Sequence, residues 1–165
     1  MHRDLFRFDT PAAVADWSAI DDGVMGGISR SHLRHDAAGF AVFEGTVSLE
    51  RNGGFASVRS HPLELGVEGA THFVVDLCGD GKRYKLNLRT DDAFEGVNYQ
   101  AGFDAPAGVW VQQQFCFDAF IPTFRGQTLA DAPALNPLRI RQIGLMIADR
   151  QEGAFSLALR SISAG

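Results

Sequence analysis

The chain has 165 residues, 45% hydrophobic and 21% charged, with a formal charge of -5 and a pI near 5.4. That length suits one domain with a sizeable core, and the composition excludes wholesale disorder. The acidic balance excludes a general attraction to nucleic acid or anionic membrane, though not a local basic patch, and no apolar run approaches the ~20 residues of a membrane helix.

In chain order, the N-terminal stretch "MHRDLFRFDTPAAVADW" has charges and a proline where a signal peptide needs an apolar core. It also lacks the Arg- and Ser-rich look of a transit peptide, so a cytoplasmic protein is expected. "TPAAVADWSAI" predicts a short helix, with Thr10 as N-cap and Pro11 at the first helical position. From there the pattern becomes short β-rich segments punctuated by many of the 18 glycines. The expected strands are Ile28 to Arg34, Phe40 to Glu50, "GFASVRSHPLEL", His72 to Gly79, "KRYKLNLRT", "VNYQAGFDA", "WVQQQFCF", "RQIGLMIAD" and "AFSLALRSIS". About nine or ten strands without intervening helices argue for a single all-β domain, an antiparallel β-sandwich.

Side chains alternate along a strand. In "KRYKLNLRT", Tyr84, Leu86 and Leu88 share one face, and Arg83, Lys85, Asn87 and Arg89 share the other. In "GFASVRS", Ala56 and Val58 oppose Phe55, Ser57 and Arg59. Two such polar faces side by side make either a solvated outer face or a recognition surface. By residue type the candidate binding residues are Arg59, Lys85, Asn87, Arg89, Gln100 and Trp110. Arginine offers a planar fork to a carboxylate or sugar hydroxyl, and Trp110, on the wetter side of "WVQQQFCF", is suited to stack on a sugar ring.

Catalytic and cofactor motifs are lacking. "GVMGG" is not GxGxxG, and "GDGK" is not a P-loop. His32 and His35 make a weak zinc case, and the short "GDG" a weak calcium one. No GxSxG elbow surrounds a serine. Adjacent acids such as Asp91 and Asp92 are not a glycosidase pair, which must face each other across a substrate. Cys78 and Cys116, far apart in sequence, read as free thiols rather than a disulfide or redox pair. No enzyme, cofactor or metal is therefore expected.

The segments "DDGVMGGISRS", "FEGTVSLERNGGFASVRS", "GDGKRYKLNLRT", "FIPTFRGQ" and "RQIGLMIADRQEGAFSLALRSI" resemble, in order, the successive motifs of the complex I intermediate-associated protein 30 family. The resemblance runs from about Trp17 to Ile162. It implies a galactose-binding-like jelly roll and a non-enzymatic role: chaperone-like binding of an unassembled protein partner, such as a respiratory-complex subunit or assembly intermediate. Eukaryotic members usually carry a presequence and an N-terminal extension. Without either, this chain is expected to be a stand-alone bacterial-type member. A carbohydrate or small-ligand binding module using the polar sheet face is the alternative; no nucleic acid and no membrane insertion are expected. Within the motifs, Asp21 and Asp22 are expected either to bond the loop's own backbone or to face a ligand, and Met25 to fill the core. Arg125 and Asp149, charged residues in apolar blocks, are expected to pair and fix loop geometry or to touch a ligand.

Overall fold

A computed structural model describes residues 3–93 and 96–165, without the side chains of Val24, Met25 and Asn52. The expected core role of Met25 lies outside these described residues. Thirteen strands run along the described residues. The first seven are β1 (Arg3–Arg7), β2 (Trp17–Ala19), β3 (Arg30–Asp36), β4 (Phe40–Val47), β5 (Ala56–Ser60), β6 (His72–Cys78) and β7 (Arg83–Thr90). The rest are β8 (Val97–Asp104), β9 (Trp110–Cys116), β10 (Ile121–Phe124), β11 (Gln127–Thr128), β12 (Ile140–Ile147) and β13 (Gly153–Ala164).

They form two antiparallel sheets. One has the order β3-β4-β13-β6-β9, with β1 also pairing to β13; the other has the order β11-β10-β8-β7-β12-β5-β2. The inner faces pack into one apolar core. Tyr84, Leu86 and Leu88 of β7 and Ile143 and Leu145 of β12 meet Phe43, Phe73, Leu77 and Leu157 of the opposite sheet. This is the antiparallel sandwich expected from the strand spacing, and the jelly roll that the family resemblance implies. The alternation read from β5 and β7 sets which residues of the seven-stranded sheet point inward and which outward.

The helix expected over "TPAAVADWSAI" does not form. Thr10 makes no side-chain cap bond, and only a 3-10 turn, Pro11–Val14, follows it. Trp17 is instead in β2, opposite Ser60 of β5, with its ring edge-on to Phe6 and Phe8 at 5.3 and 5.9 Å. Pairing with a sheet edge and burying an aromatic ring outweigh the weak preference of an isolated short helix.

In the β6–β9 pair, Cys78 lies opposite Trp110 and Cys116 opposite His72. The thiols sit at opposite ends of the ladder, roughly 20 Å apart at the rise of a strand, so no disulfide joins them.

Candidate functional site: a basic groove on the seven-stranded sheet

The outward face of the seven-stranded sheet is the floor of a groove of about 860 Å³. Strand register assembles it. Arg59 of β5 lies opposite Gly144 of β12, Gly144 opposite Asn87 of β7, and Asn87 opposite Gln100 of β8. The next rung carries Ser57, Met146 and Lys85, and Gln142 lies opposite Arg89 on the far side. These side chains share a face because each strand alternates with period two, and the antiparallel register keeps the polar sets aligned.

Gly144 leaves the middle of the floor open. A Cβ there would meet the Val58 carbonyl oxygen at 2.7 Å and Arg59 Cβ at 3.1 Å. The walls are Gly53–Phe55 on one side, Phe124 at the end of β10 with the Arg125–Gly126 turn on the other, and Ala148–Arg150 after β12. Arg125, Asp149 and Arg150 in these walls have positive φ (50, 61 and 58°), a conformation uncommon for non-glycine residues.

Arg59, Lys85, Asn87, Arg89, Gln100, Arg125 and Asp149 all line this groove. Trp110 does not. It lies on β9 of the other sheet, edge-on to Phe40 at 5.4 Å and under the Arg160 guanidinium at 3.8 Å. Its residue type suited a binding face, but only strand order could show that β9 belongs to the opposite sheet. Arg125 and Asp149 do not pair with each other: Asp149 holds Lys85 Nζ at 3.4 Å, and Arg125 lies over the Phe124 ring at 5.2 Å. Sequence reading missed Asn98, Gln142, Met146, Phe124 and Arg150 as lining residues. Of these, Asn98 and Gln142 share the alternation that marked the others. The loop residues carry no such signal.

Inside the groove, Arg89 Nε donates to Asn98 Oδ1 (3.1 Å), and Gln142 Nε2 to the Ser60 carbonyl (2.9 Å). The Asn87 and Gln100 amides both point at Met146 Sδ, at 3.8 and 3.7 Å.

Asp21 and Asp22 bond the chain's own backbone and do not line the groove. Asp22 has no exposed surface. It accepts from the backbone N–H of Ser29 (2.9 Å), Gly54 (2.8 Å) and Phe55 (3.4 Å) and from the Ser29 hydroxyl. Burial works against its charge, but these bonds prevail and hold its carboxyl below the ordinary value. Asp21 takes the N–H groups of Ser31 (3.0 Å) and Ser57 (3.1 Å), tying β3 to β5. Gly27 and Gly53 close around Asp22: a Cβ on Gly27 would sit 2.4 Å from its Cγ, and one on Gly53 2.7 Å from its Oδ2. The loop motif is thus a structural anchor, and what it anchors is the Gly54–Phe55 wall of the groove.

Two of the other candidate ligand residues, His32 and Asp80, are engaged by neighbouring groups of the chain. His32 Nε2 meets Glu44 at 3.0 Å beside an Arg34–Glu44 ion pair. Asp80 of "GDG" is occupied by the Tyr84 hydroxyl (3.0 Å), Lys82 N–H (3.1 Å) and Ser156 N–H (2.8 Å). Among the described residues no group of three or more His, Cys, Asp or Glu side chains is placed to hold a metal ion.

Among solved structures, the fold is similar to the family 11 carbohydrate-binding module of the cellulosomal cellulase Lic26A-Cel5E of Clostridium thermocellum. The TM-score is 0.72 at 13% identity, over 99% of this chain and 94% of that one. A second structure of a family 11 module, from the same organism in complex with a β-1,3-1,4-mixed-linked tetrasaccharide, gives 0.68 at 14% identity over the same shares. At these identities the likeness is one of fold. Among curated sequences, the chain is 22% identical to the mitochondrial complex I intermediate-associated protein 30 of Neurospora crassa, over 97% of this chain and 72% of that protein. It is likewise 22% identical to the Drosophila melanogaster protein of the same name, over 94% of this chain and 60% of that protein. Both relatives are mitochondrial, which overturns the expectation of a cytoplasmic protein drawn from the N-terminal composition. The family model of complex I intermediate-associated protein 30 matches residues 6–159, and the chain belongs to that family.

Proposed function

We propose that this protein is a binding module acting in the assembly of respiratory complex I, and that it works by holding a segment of an unassembled partner protein in the groove of its seven-stranded sheet. The observation that carries this reading is the groove. An outward sheet face is ordinarily a flat solvated surface; here three segments wall it into a cavity of about 860 Å³. Binding rather than catalysis fits the lining: among the described residues, arginines, a lysine and amides face a thioether and two phenylalanines, with one carboxylate, Asp149, and no histidine or cysteine. General acid–base or nucleophilic chemistry has little to work with there. The relatives' designation as complex I intermediate-associated proteins supplies the partner class.

Photo-crosslinking tests the reading. Benzoylphenylalanine in place of Phe124, in a host that builds complex I, is expected to crosslink a complex I subunit or assembly intermediate. The same group in place of the exposed Gln112 on the opposite sheet is the control. Equal capture from both positions, or none from Phe124, rejects the groove as the binding surface. A second reading is a glycan ligand, favoured by the likeness to carbohydrate-binding modules, one of them holding a tetrasaccharide. Protection of the groove by that tetrasaccharide at micromolar concentration would favour it.

A further inference from the structure

The open strand edges of the two sheets are not alike. β3 carries Arg30, His32, Arg34, His35 and Asp36 among its residues. β1 carries Arg3, Asp4 and Arg7, and its register shifts between Asp4 and Phe6. β2 has three residues and β11 two. Charge, irregular register and shortness are the devices that keep a strand edge from pairing with another chain. β9, at the end of the six-stranded sheet, has none of them. It runs for seven residues, "WVQQQFC", without a charge, a proline or a glycine, and it pairs with β6 in unbroken register.

The main-chain groups of β9 divide by side. The Phe117 N–H donates to the Thr71 carbonyl (3.0 Å), one step beyond the His72–Cys116 pair. Alternation then turns the N–H and C=O groups of Val111, Gln113 and Phe115 toward β6. It turns those of Trp110, Gln112, Gln114 and Cys116 away from it. Among the described residues no strand pairs with that outer side. The Gln114 carbonyl takes the Gln113 side-chain amide at a long 3.5 Å. Just before the strand, Val109 is 50% exposed, a large apolar side chain beside the open edge.

We infer that β9 is an interface with a second copy of this chain, the two β9 strands pairing antiparallel about a two-fold axis at Gln113. In that register the strand is its own complement. Gln112 lies opposite Gln114 of the second copy and Trp110 opposite its Cys116, so all four outward-facing residues meet outward-facing residues. Val111 lies opposite Phe115 of the second copy on the inward face, where Phe115 already belongs to the core. The same register brings the exposed Val109 to the Phe117 end of the other strand. No charge opposes a charge across the axis. A foreign segment would need a matching pattern of its own, whereas this strand supplies one in itself. Pairing about a two-fold axis also occupies the open edge of both copies, so assembly stops at two and does not run on as a fibre. This interface is separate from the groove, which no residue of β9 lines.

The test is sedimentation velocity of the full chain from about 1 to 500 μM, a range suited to the small area that one strand pair buries. Thermal unfolding checks that each variant folds. A concentration-dependent dimer is expected. Gln112→Lys with Gln114→Lys puts like charges in two cross-strand pairs and is expected to weaken the dimer ~10-fold. Gln112→Lys with Gln114→Glu puts opposite charges in the same pairs and is expected to restore it. Both positions are exposed, so neither double variant disturbs the core. Amide exchange followed by NMR is expected to slow with concentration at Gln112 and Gln114, and not at Gln113, whose N–H already faces β6. Benzoylphenylalanine at Gln112 is expected to capture this chain itself and not a complex I protein. A monomer at every concentration overturns the inference. So does a dimer that the two double variants affect alike or leave unchanged, or one in which the Gln112 and Gln114 amides gain no protection.

Discussion

Removing the Asp22 carboxylate should damage the fold and the groove together. Asp22→Ala leaves the N–H groups of Ser29 and Gly54, held at 2.9 and 2.8 Å, without their charged acceptor in a site closed to water. The Ser29 hydroxyl keeps a partner, because its one proton can turn to the Ser48 carbonyl 3.2 Å away, and the 3.4 Å bond from Phe55 is weak. Two lost charge-assisted bonds at about 1.5–3 kcal/mol each, less about 1 kcal/mol for the relieved cost of burying a charge, give a destabilisation of about 2–5 kcal/mol. With a urea slope near 2 kcal/mol/M, the unfolding midpoint should fall by roughly 2 M. The pH dependence has a definite sign. The folded carboxyl titrates below its ordinary 3.8, so the folded state binds the proton less readily than the unfolded state. This stabilisation is fully present above that ordinary value and is lost as pH falls through the lower, folded value. Urea denaturation from pH 7 down to pH 2.5 should therefore show an acid loss in the parent that is smaller in Asp22→Ala. A midpoint shift worth under about 1 kcal/mol, below the range expected for a lost buried charged acceptor, or superimposable acid limbs, would refute the assignment of Asp22 as the anchor of the groove wall.

Tyr84 is fully buried with its hydroxyl on Asp80. Burial and the Asp80 charge push that hydroxyl far above its ordinary 10, so its contribution is present below that value and is lost as pH rises above it. Tyr84→Phe should cost about 1–2 kcal/mol at pH 7 and flatten the alkaline limb of the stability curve; an unchanged limb would count against the Asp80 bond. Asp91 receives Arg139 Nε at 2.7 Å and Arg141 at 3.0 Å, all partly exposed. Asp91→Ala should lose about 0.5–1 kcal/mol, and less in 0.5 M salt, by urea denaturation. Cys116 is exposed and Cys78 half-buried at the opposite end of the ladder. A thiol reagent should therefore modify Cys116 first, and mild oxidation should form no internal disulfide, as intact-mass measurement will show.

Much of this fold was legible because its signal is local. The alternation of Tyr84, Leu86 and Leu88 with Lys85, Asn87 and Arg89 assigns each residue of β7 to a face before any partner strand is known. The same reading applied to β5 placed Arg59 beside Ser57 on the outward side. The strand at Trp17 was not legible, because an edge strand of three residues is set by the sheet it joins and the aromatic ring it buries. A proline-led segment with a plausible cap looks the same in sequence whether it ends as a helix or a turn.

The sequence by itself determined the two-sided strands, the glycine-rich turns, the family and the polar set from which the groove floor is made. Periodicity and composition act within a few residues, so they can be read without coordinates. Tertiary structure decided the rest: which polar faces adjoin, that β9 carries Trp110 away to the other sheet, and that Asp149 meets Lys85 rather than Arg125. It also decided that Asp22 spends its charge on the chain's own amides. Those are outcomes of strand order and register, which depend on contacts between residues tens of positions apart and have no signature in any short stretch of chain.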